Sequence, residues 1–348
     1  MPFRVTHPQS RRETPARVTV LSGGVGGARF LQGLLHHVSR TGAATAVTVV
    51  TNTADDIWLH GLKVCPDLDT VMYTLGGGID PERGWGRTAE TWHAKEELAA
   101  YGVQPTWFGL GDRDLATHIV RTQMLGAGYP LSAVTDALGR RWPVDSRSEV
   151  RLLPMSDDRA ETHIVIGDAD SASGQRVVHF QEYWVRLHAS VPAHDVVVIG
   201  LDEATPGPGV IDAIEQCDVL LLPPSNPVVS IGTIVGVPGI RAAIRGRRAP
   251  VVGLSPIVAD RPVRGMADAV LAAIGVGSSA AAVALHYGAR GGAGILDGWL
   301  VDTADTGAVD QVQSAGIRCR AVPLLMSDVD AAAAMAGQAL QLAEDVRA

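Results

Sequence analysis

The chain has 348 residues, 46% of them apolar and 19% charged, with a formal net charge of -8. That composition excludes a disordered chain, and the acidic balance excludes a general nucleic-acid binder, which needs a basic face. Cys65, Cys217 and Cys319 are far apart and form no C-x-x-C pair, which speaks against a zinc module or a disulfide framework and for a reducing cytoplasm.

In chain order, residues 1–16 are polar, lack the apolar segment of a signal peptide, and read as a disordered extension. No apolar run approaches the ~18 residues of a membrane span, so no membrane contact is expected. Strand-like runs then recur at 17–22, 46–51, 162–167, 194–200, 218–224, 249–255, 294–302 and 321–326. Several are continuous Val, Leu and Ile, the pattern of strands buried on both faces of a parallel sheet. Helical spacing fits 26–38, 113–125, 208–216, 231–245, 265–274 and 328–345. This alternation predicts an α/β fold with a doubly wound, mostly parallel sheet. Few strand patterns appear over 68–160, where 88–102 and 112–128 have helical spacing instead. Residues 17–348 therefore read as one domain, with a core over 17–67 and 161–348. A largely helical insertion over 68–160 would form the second wall of a cleft.

Four stretches could carry chemistry. In "VTVLSGGVGGARF" a strand runs into Gly23, Gly24, Val25, Gly26 and Gly27 and then into a helix. There is no Gly-Lys-Ser/Thr for a P-loop, and Arg29 stands where a dinucleotide fingerprint needs its third glycine. What remains is an anion nest at a helix N-terminus, suited to phosphate. In "TNTADDIWLHGLKVCPDLDTVMYTLGGG" four acids, Asp55, Asp56, Asp67 and Asp69, fall just after a strand. Carboxylates at that end of a parallel strand can hold Mg²⁺ against a diphosphate. Asp67 and Asp69 could equally cap a helix. Asp55 and Asp56 are adjacent like charges, which calls for a neutralising cation. In "GLGDRDLATHIVR", Arg113 sits at a helix start against the dipole, as a ligand contact would. In "LLPPSNPVVSIG", a buried strand ends in Ser225 and Asn226, with Ser230 opening the next helix. An Asn amide there could read a nucleotide.

Together these stretches resemble one family, the phosphoenolpyruvate or 2-phospho-L-lactate transferases of deazaflavin coenzyme F-420 biosynthesis (CofD/FbiA). The resemblance runs from about Val18 to Met326 through eight blocks in order: "SGGVGGARF", "CPDLDTVMYTLGGG", "GWGRTAETWHA", "FGLGDRDLATHIVRTQML", "LPMSDDRAETHI", "HFQEYWVR", "PSNPVVSIG" and "SPIVADRPVRGMAD". It implies a Rossmann-like core, a homodimer and Mg²⁺. It implies transfer of an enolpyruvyl or lactyl phosphate from a guanosine diphosphate donor to the ribityl hydroxyl of 7,8-didemethyl-8-hydroxy-5-deazariboflavin (Fo), with release of GMP. On that resemblance Gly23 to Gly27 would hold the diphosphate. Asp55 and Asp56 would hold Mg²⁺ and serve catalysis. Ser225, Asn226 and Ser230 would hold the nucleotide, and Asp69 and Arg113 the deazaflavin. The competing reading is a non-enzymatic regulator of the gluconeogenesis-factor type that binds nucleotide sugars. "DLDTVMYTLGGG" and "GDRDLATH" favour the transferase.

Overall fold

The computed structural model describes residues 15–42, 44–144 and 148–347. The extension expected at the N-terminus falls mainly on residues 1–14, outside the described ones. Seven strands form the central sheet, numbered here along the chain: β1 (Arg17–Ser22), β2 (Ala46–Thr51), β3 (Val150–Pro154), β4 (Val219–Leu222), β5 (Val251–Leu254), β6 (Gly298–Val301) and β7 (Arg318–Ala321). Their spatial order is β3-β2-β1-β4-β5-β6-β7, and every pairing is parallel. The order reverses between β1 and β4. In open parallel sheets a crevice forms beyond the strand ends at that switch point, and ligands bind there.

Both sheet faces are covered. Along β4, Val219 and Leu221 face one apolar cluster while Leu220 and Leu222 face the other. The first cluster is closed by α1 (Gly24–Thr41) and by a long Ala-rich helix, Val329–Arg347, packed on it. This explains the unbroken apolar strands, since neither face meets water.

Between β2 and β3 the chain adds a mostly helical segment. A hairpin, Ile57–Leu59 with Leu62–Val64, leads into α2 (Pro66–Leu75), α3 (His93–Ala100), α4 (Asp112–Gly126) and α5 (Leu131–Gly139). β3 lies inside the stretch expected to be helical and pairs with β2.

Two expected strands, 162–167 and 194–200, are not in the central sheet. Glu161–Gly167 pairs antiparallel with both Gln175–His179 and Ala193–Ile199 in a separate three-stranded sheet. Their burial alternates: Ile164 and Ile166 are buried, whereas Val177, Val197 and Ile199 are exposed. One-sided burial is the mark of an antiparallel sheet. The expected helix over 231–245 is two, α6 (Ile231–Gly236) and α7 (Ile240–Gly246). They part at Val237-Pro238-Gly239, where Gly239 has φ +94°. The strand expected at 321–326 lies earlier, as β7; only Ala321 is shared.

Candidate functional site

The glycine loop follows β1 at the switch point. Its glycines are required by close approach. A Cβ on Gly26 would overlap the carbonyl oxygen of Pro224, and one on Gly27 would overlap the Ser22 hydroxyl. A Cβ on Gly23 would overlap Ser230, and Gly24 adopts φ +52°. The loop after β4 is thus pressed against the loop after β1. The Ser225 hydroxyl locks the two together: it accepts from the Gly23 N–H at 3.2 Å and donates to the Gly23 carbonyl at 2.9 Å. Asn226 uses its side-chain oxygen on the N–H groups of Val228 and Val229, at 2.9 and 3.1 Å, which leaves its amide nitrogen for other work. Val25 is half-buried at the rim.

The acids divide in a way that sequence spacing did not show. Asp55 and Asp56 are adjacent and buried, yet their surroundings are opposite. Asp56 lies 3.1 Å from the Lys63 ammonium and accepts from the Cys65 thiol at 3.0 Å. Among the described residues no cation lies within 4.0 Å of Asp55. Burial, then the charge of Asp67, push its carboxyl well above the usual range. On α2 the same split recurs. Asp69 is gripped by the Arg121 guanidinium, one bond of 3.0 Å and a second shorter one, with His118 Nδ1 at 3.8 Å. Asp67 instead accepts from the Asn52 side-chain amide at 3.0 Å and from the backbone N–H of Gly24. Its carboxyl is pushed up to about 7, chiefly by burial.

Asp55, Asn52 and Asp67 therefore meet beside the nest, while Asp69 is turned away into an ion pair and Asp56 has one oxygen held by Lys63 and the other without a partner. Asn52 is itself fixed, its oxygen accepting from the Ala54 N–H at 2.9 Å and lying 2.8 Å from the Thr233 hydroxyl. The loop is tied to the three-stranded sheet. Gln181 donates to the Asp55 carbonyl, and a His179 ring nitrogen meets the Asp56 carbonyl, both at 3.2 Å. Asn52, Gln181 and Thr233 were not among the residues chosen from sequence, and Asp67 was one of the four candidate acids but was given no place in the site. Asn52 and Asp67 stood in the quoted stretch, but helix capping was an adequate account of Asp67, and Thr233 is 181 positions from Asn52.

Mg²⁺ fits this donor set. Buried side-chain oxygens of Ser22, Thr51, Thr53, Asp55 and Asp56 have no protein partner, and all lie at or just beyond the ends of β1 and β2. Buried polar atoms in a native protein are normally paired, so such a cluster marks a ligand site. Among the described residues no three His, Cys, Asp or Glu side chains converge as a complete metal cage. Mg²⁺ characteristically uses one or two carboxylates, with waters and substrate phosphate completing the shell.

The 78–92 loop passes Val25 at Gly84 and is hydrogen-bonded to α4. Arg113 is exposed and donates to the Thr88 carbonyl at 3.2 Å. Trp85 is 45% exposed, and the Arg83 guanidinium lies 5.3 Å from the ring centres of both Trp85 and Trp92. Arg87 stacks over Trp142 at 4.8 Å. No helix among the described residues is long and apolar enough to cross a membrane.

Residues 18–329 match the family described as 2-phospho-L-lactate transferase CofD. A phosphoenolpyruvate transferase of Streptomyces griseus is 67% identical over 332 residues, covering 95% of this chain and 100% of the relative. Its counterpart in Streptomyces coelicolor is 65% identical, covering 95% and 99%. One from Mycobacterium sp. (strain JLS) is 58% identical, covering 94% and 98%. Among solved structures, a UPF0052 family protein of Bacillus halodurans superposes with a TM-score of 0.58 at 17% identity, over 94% of this chain and 99% of that one. That likeness speaks for the fold alone.

Proposed function

The chain belongs to the CofD family of 2-phospho-L-lactate transferases and is a transferase, and from that premise we propose that it moves a phosphoenolpyruvyl group from enolpyruvyl-diphospho-5'-guanosine to the ribityl hydroxyl of Fo. The products are GMP and dehydro coenzyme F-420-0. Enolpyruvate is preferred to lactate because the relatives at 57–67% identity carry the name phosphoenolpyruvate transferase. The observation that carries the reading is the pair of uncompensated buried acids, Asp55 and Asp67, beside a glycine nest at the switch point.

In phosphoryl transfer most of the catalytic work is positioning and charge neutralisation. The N–H groups at the start of α1 would hold the donor diphosphate. Asp55 and Asp67 would hold Mg²⁺, which when bound neutralises charge on the diphosphate oxygens. Asp56 would join them through Oδ1, which has no protein partner, while Lys63 and Cys65 hold its other oxygen. The acceptor hydroxyl attacks the terminal phosphorus, one of the clustered aspartates would take its proton, and the bond to the GMP oxygen breaks. GMP departs as a phosphate monoester with a second pKa of about 6, so it needs no proton at neutral pH. The Asn226 amide nitrogen would read the guanosine, with Ser225 and Ser230 shaping the loop around it. Arg113 and the exposed Trp85 face would receive the deazaflavin. Asp69 would act there only through Arg121. A cytoplasmic homodimer completes the proposal; the three free, buried cysteines support a reducing compartment.

The test is direct. Purified protein, Fo and Mg²⁺ are incubated with the enolpyruvyl or the lactyl donor, and GMP and the phosphodiester product are followed. Faster product from the enolpyruvyl donor is expected. No product from either donor, with a nucleotide sugar still bound, would move the regulator reading to first place.

A further inference from the structure

Resting on the transferase reading above, we propose that Arg29 and Arg264 form a carboxylate clamp at the rim of the glycine nest. It would grip the carboxylate of the three-carbon acid that the donor carries on its terminal phosphate.

Three placements bring these arginines to the rim. Arg29 lies four residues beyond Val25 on α1, one turn on and on the same helix face. Arg264 belongs to the loop after the short hairpin Ile257–Val258 and Arg261–Pro262, and its Nη2 donates to the Arg83 carbonyl at 2.7 Å. That bond ties the loop to the 78–92 loop. A Cβ placed on Gly84 would lie 3.0 Å from Arg264 Nη1 and 3.1 Å from Val25 Cγ1, so the Arg264 head and Val25 meet over the same glycine. Burial, and then the charge of Arg29, hold the Arg264 guanidinium below its usual range.

Among the described residues, neither arginine of this pair has an acid, and neither stacks on an aromatic ring. Arg83 has Asp80 at 2.9 Å, and Arg121 has Asp69. Arg87 stacks on Trp142 and donates to the Arg113 carbonyl. Among the described residues, no carboxylate lies within 4.0 Å of Arg29 or Arg264, as every ion pair there involves other cations. Two neighbouring cations without an acid repel each other, and a bound anion offsets that repulsion.

Position decides which anion. The free N–H groups of a helix are confined to its first turn, so the diphosphate belongs beside Val25, Gly26 and Gly27. Arg29 lies beyond that turn, four residues on from Val25. The donor's remaining negative charge is its carboxylate, attached to the carbon that bears the phosphate ester oxygen. It would extend past Val25 into the space that Arg29 and Arg264 border. Planar guanidinium groups suit a carboxylate through paired N–H donors.

The experiment compares Arg29→Gln, Arg264→Gln and the double variant with wild type. Steady-state kinetics with the enolpyruvyl donor at saturating Fo are read beside calorimetric binding of GDP, which has the diphosphate but no carboxylate. Each single variant should raise donor KM by about tenfold, the loss expected for a hydrogen bond to a charged group. GDP affinity should change less than about twofold. A GDP affinity that falls in step with the rise in donor KM would overturn the clamp, because the arginines would then serve the phosphates. So would an unchanged donor KM. A wild-type chain that turns over neither donor removes the transferase reading and the clamp together, whereas active but insensitive variants remove the clamp alone. Melting curves verify that each variant is folded.

Discussion

Two carboxylate clusters share the loop after β2 and the first turns of α2, and they are built on opposite electrostatic terms. In one, Asp56 faces Lys63 and Asp69 faces Arg121, so each acid has its own cation. Asp114 joins them, bonded by the Tyr73 hydroxyl at 2.7 Å and with His118 Nε2 at 3.3 Å. In the other, Asp55 and Asp67 neighbour each other with only the Asn52 amide between. A difference of one or two positions along the chain moves an acid from one cluster to the other. Residues i and i+2 on a helix point about 200° apart, which separates Asp67 from Asp69. The compensated cluster joins the hairpin, α2 and α4. The uncompensated one costs stability, and that cost makes sense where a cation and a diphosphate are to be bound.

If that division is right, variants of the two clusters should fail differently. The largest effect is expected for Asp55→Asn and Asp67→Asn. Either should cost roughly a thousandfold in kcat, on the scale of losing a main stabiliser of transition-state charge. Melting temperature should hold or rise, since a buried repulsion is relieved; a lower melting temperature would place these acids with the structural cluster. Arg121→Met should do the reverse. It leaves the buried Asp69 charge unpaired, which costs about 3–5 kcal/mol, and chemical denaturation should show that loss directly. Adding Asp69→Leu should recover part of it, because removing both charges avoids the unpaired state. Gly26→Ala comes next, at about 1–3 kcal/mol. Its Cβ meets a backbone carbonyl, that of Pro224, which cannot rotate away, so GDP binding should weaken with stability.

A pH dependence is expected in metal-free protein as well. Burial pushes the Asp67 carboxyl up to about 7, against roughly 3.9 when unfolded. Between those values the folded chain keeps a proton that the unfolded chain has released. Stability should therefore fall as pH rises from about 4 to 7 and level off above. Mg²⁺ should reverse the fall near pH 7, and Asp67→Asn should flatten the curve. An unchanged slope in that variant would assign the titration to another group.

Much of the fold was legible because its signals are local. Val219 to Leu222 could be read as buried on both faces without any neighbour in view. Gly23 to Gly27 marked a strand-to-helix nest through steric demands alone. The errors also had local causes. Residues 162–167 and 194–200 are as apolar as the central strands, and only their one-sided burial against Met266 and Val270 reveals the antiparallel sheet. The break at Pro238 and Gly239 was written in the sequence, but helical spacing on both sides concealed it.

By itself, then, the sequence determined the alternation of strand and helix, the nest, and the family blocks, since each depends on contiguous residues. It also narrowed the chemistry to four acids after β2. Tertiary structure alone decided which of them have a cation beside them. The partners that settle the matter arrive from far along the chain: Arg121 is 52 positions from Asp69, and Thr233 is 181 from Asn52. The charge state of a buried acid is set by what surrounds it in space, and spacing along the chain does not carry that information.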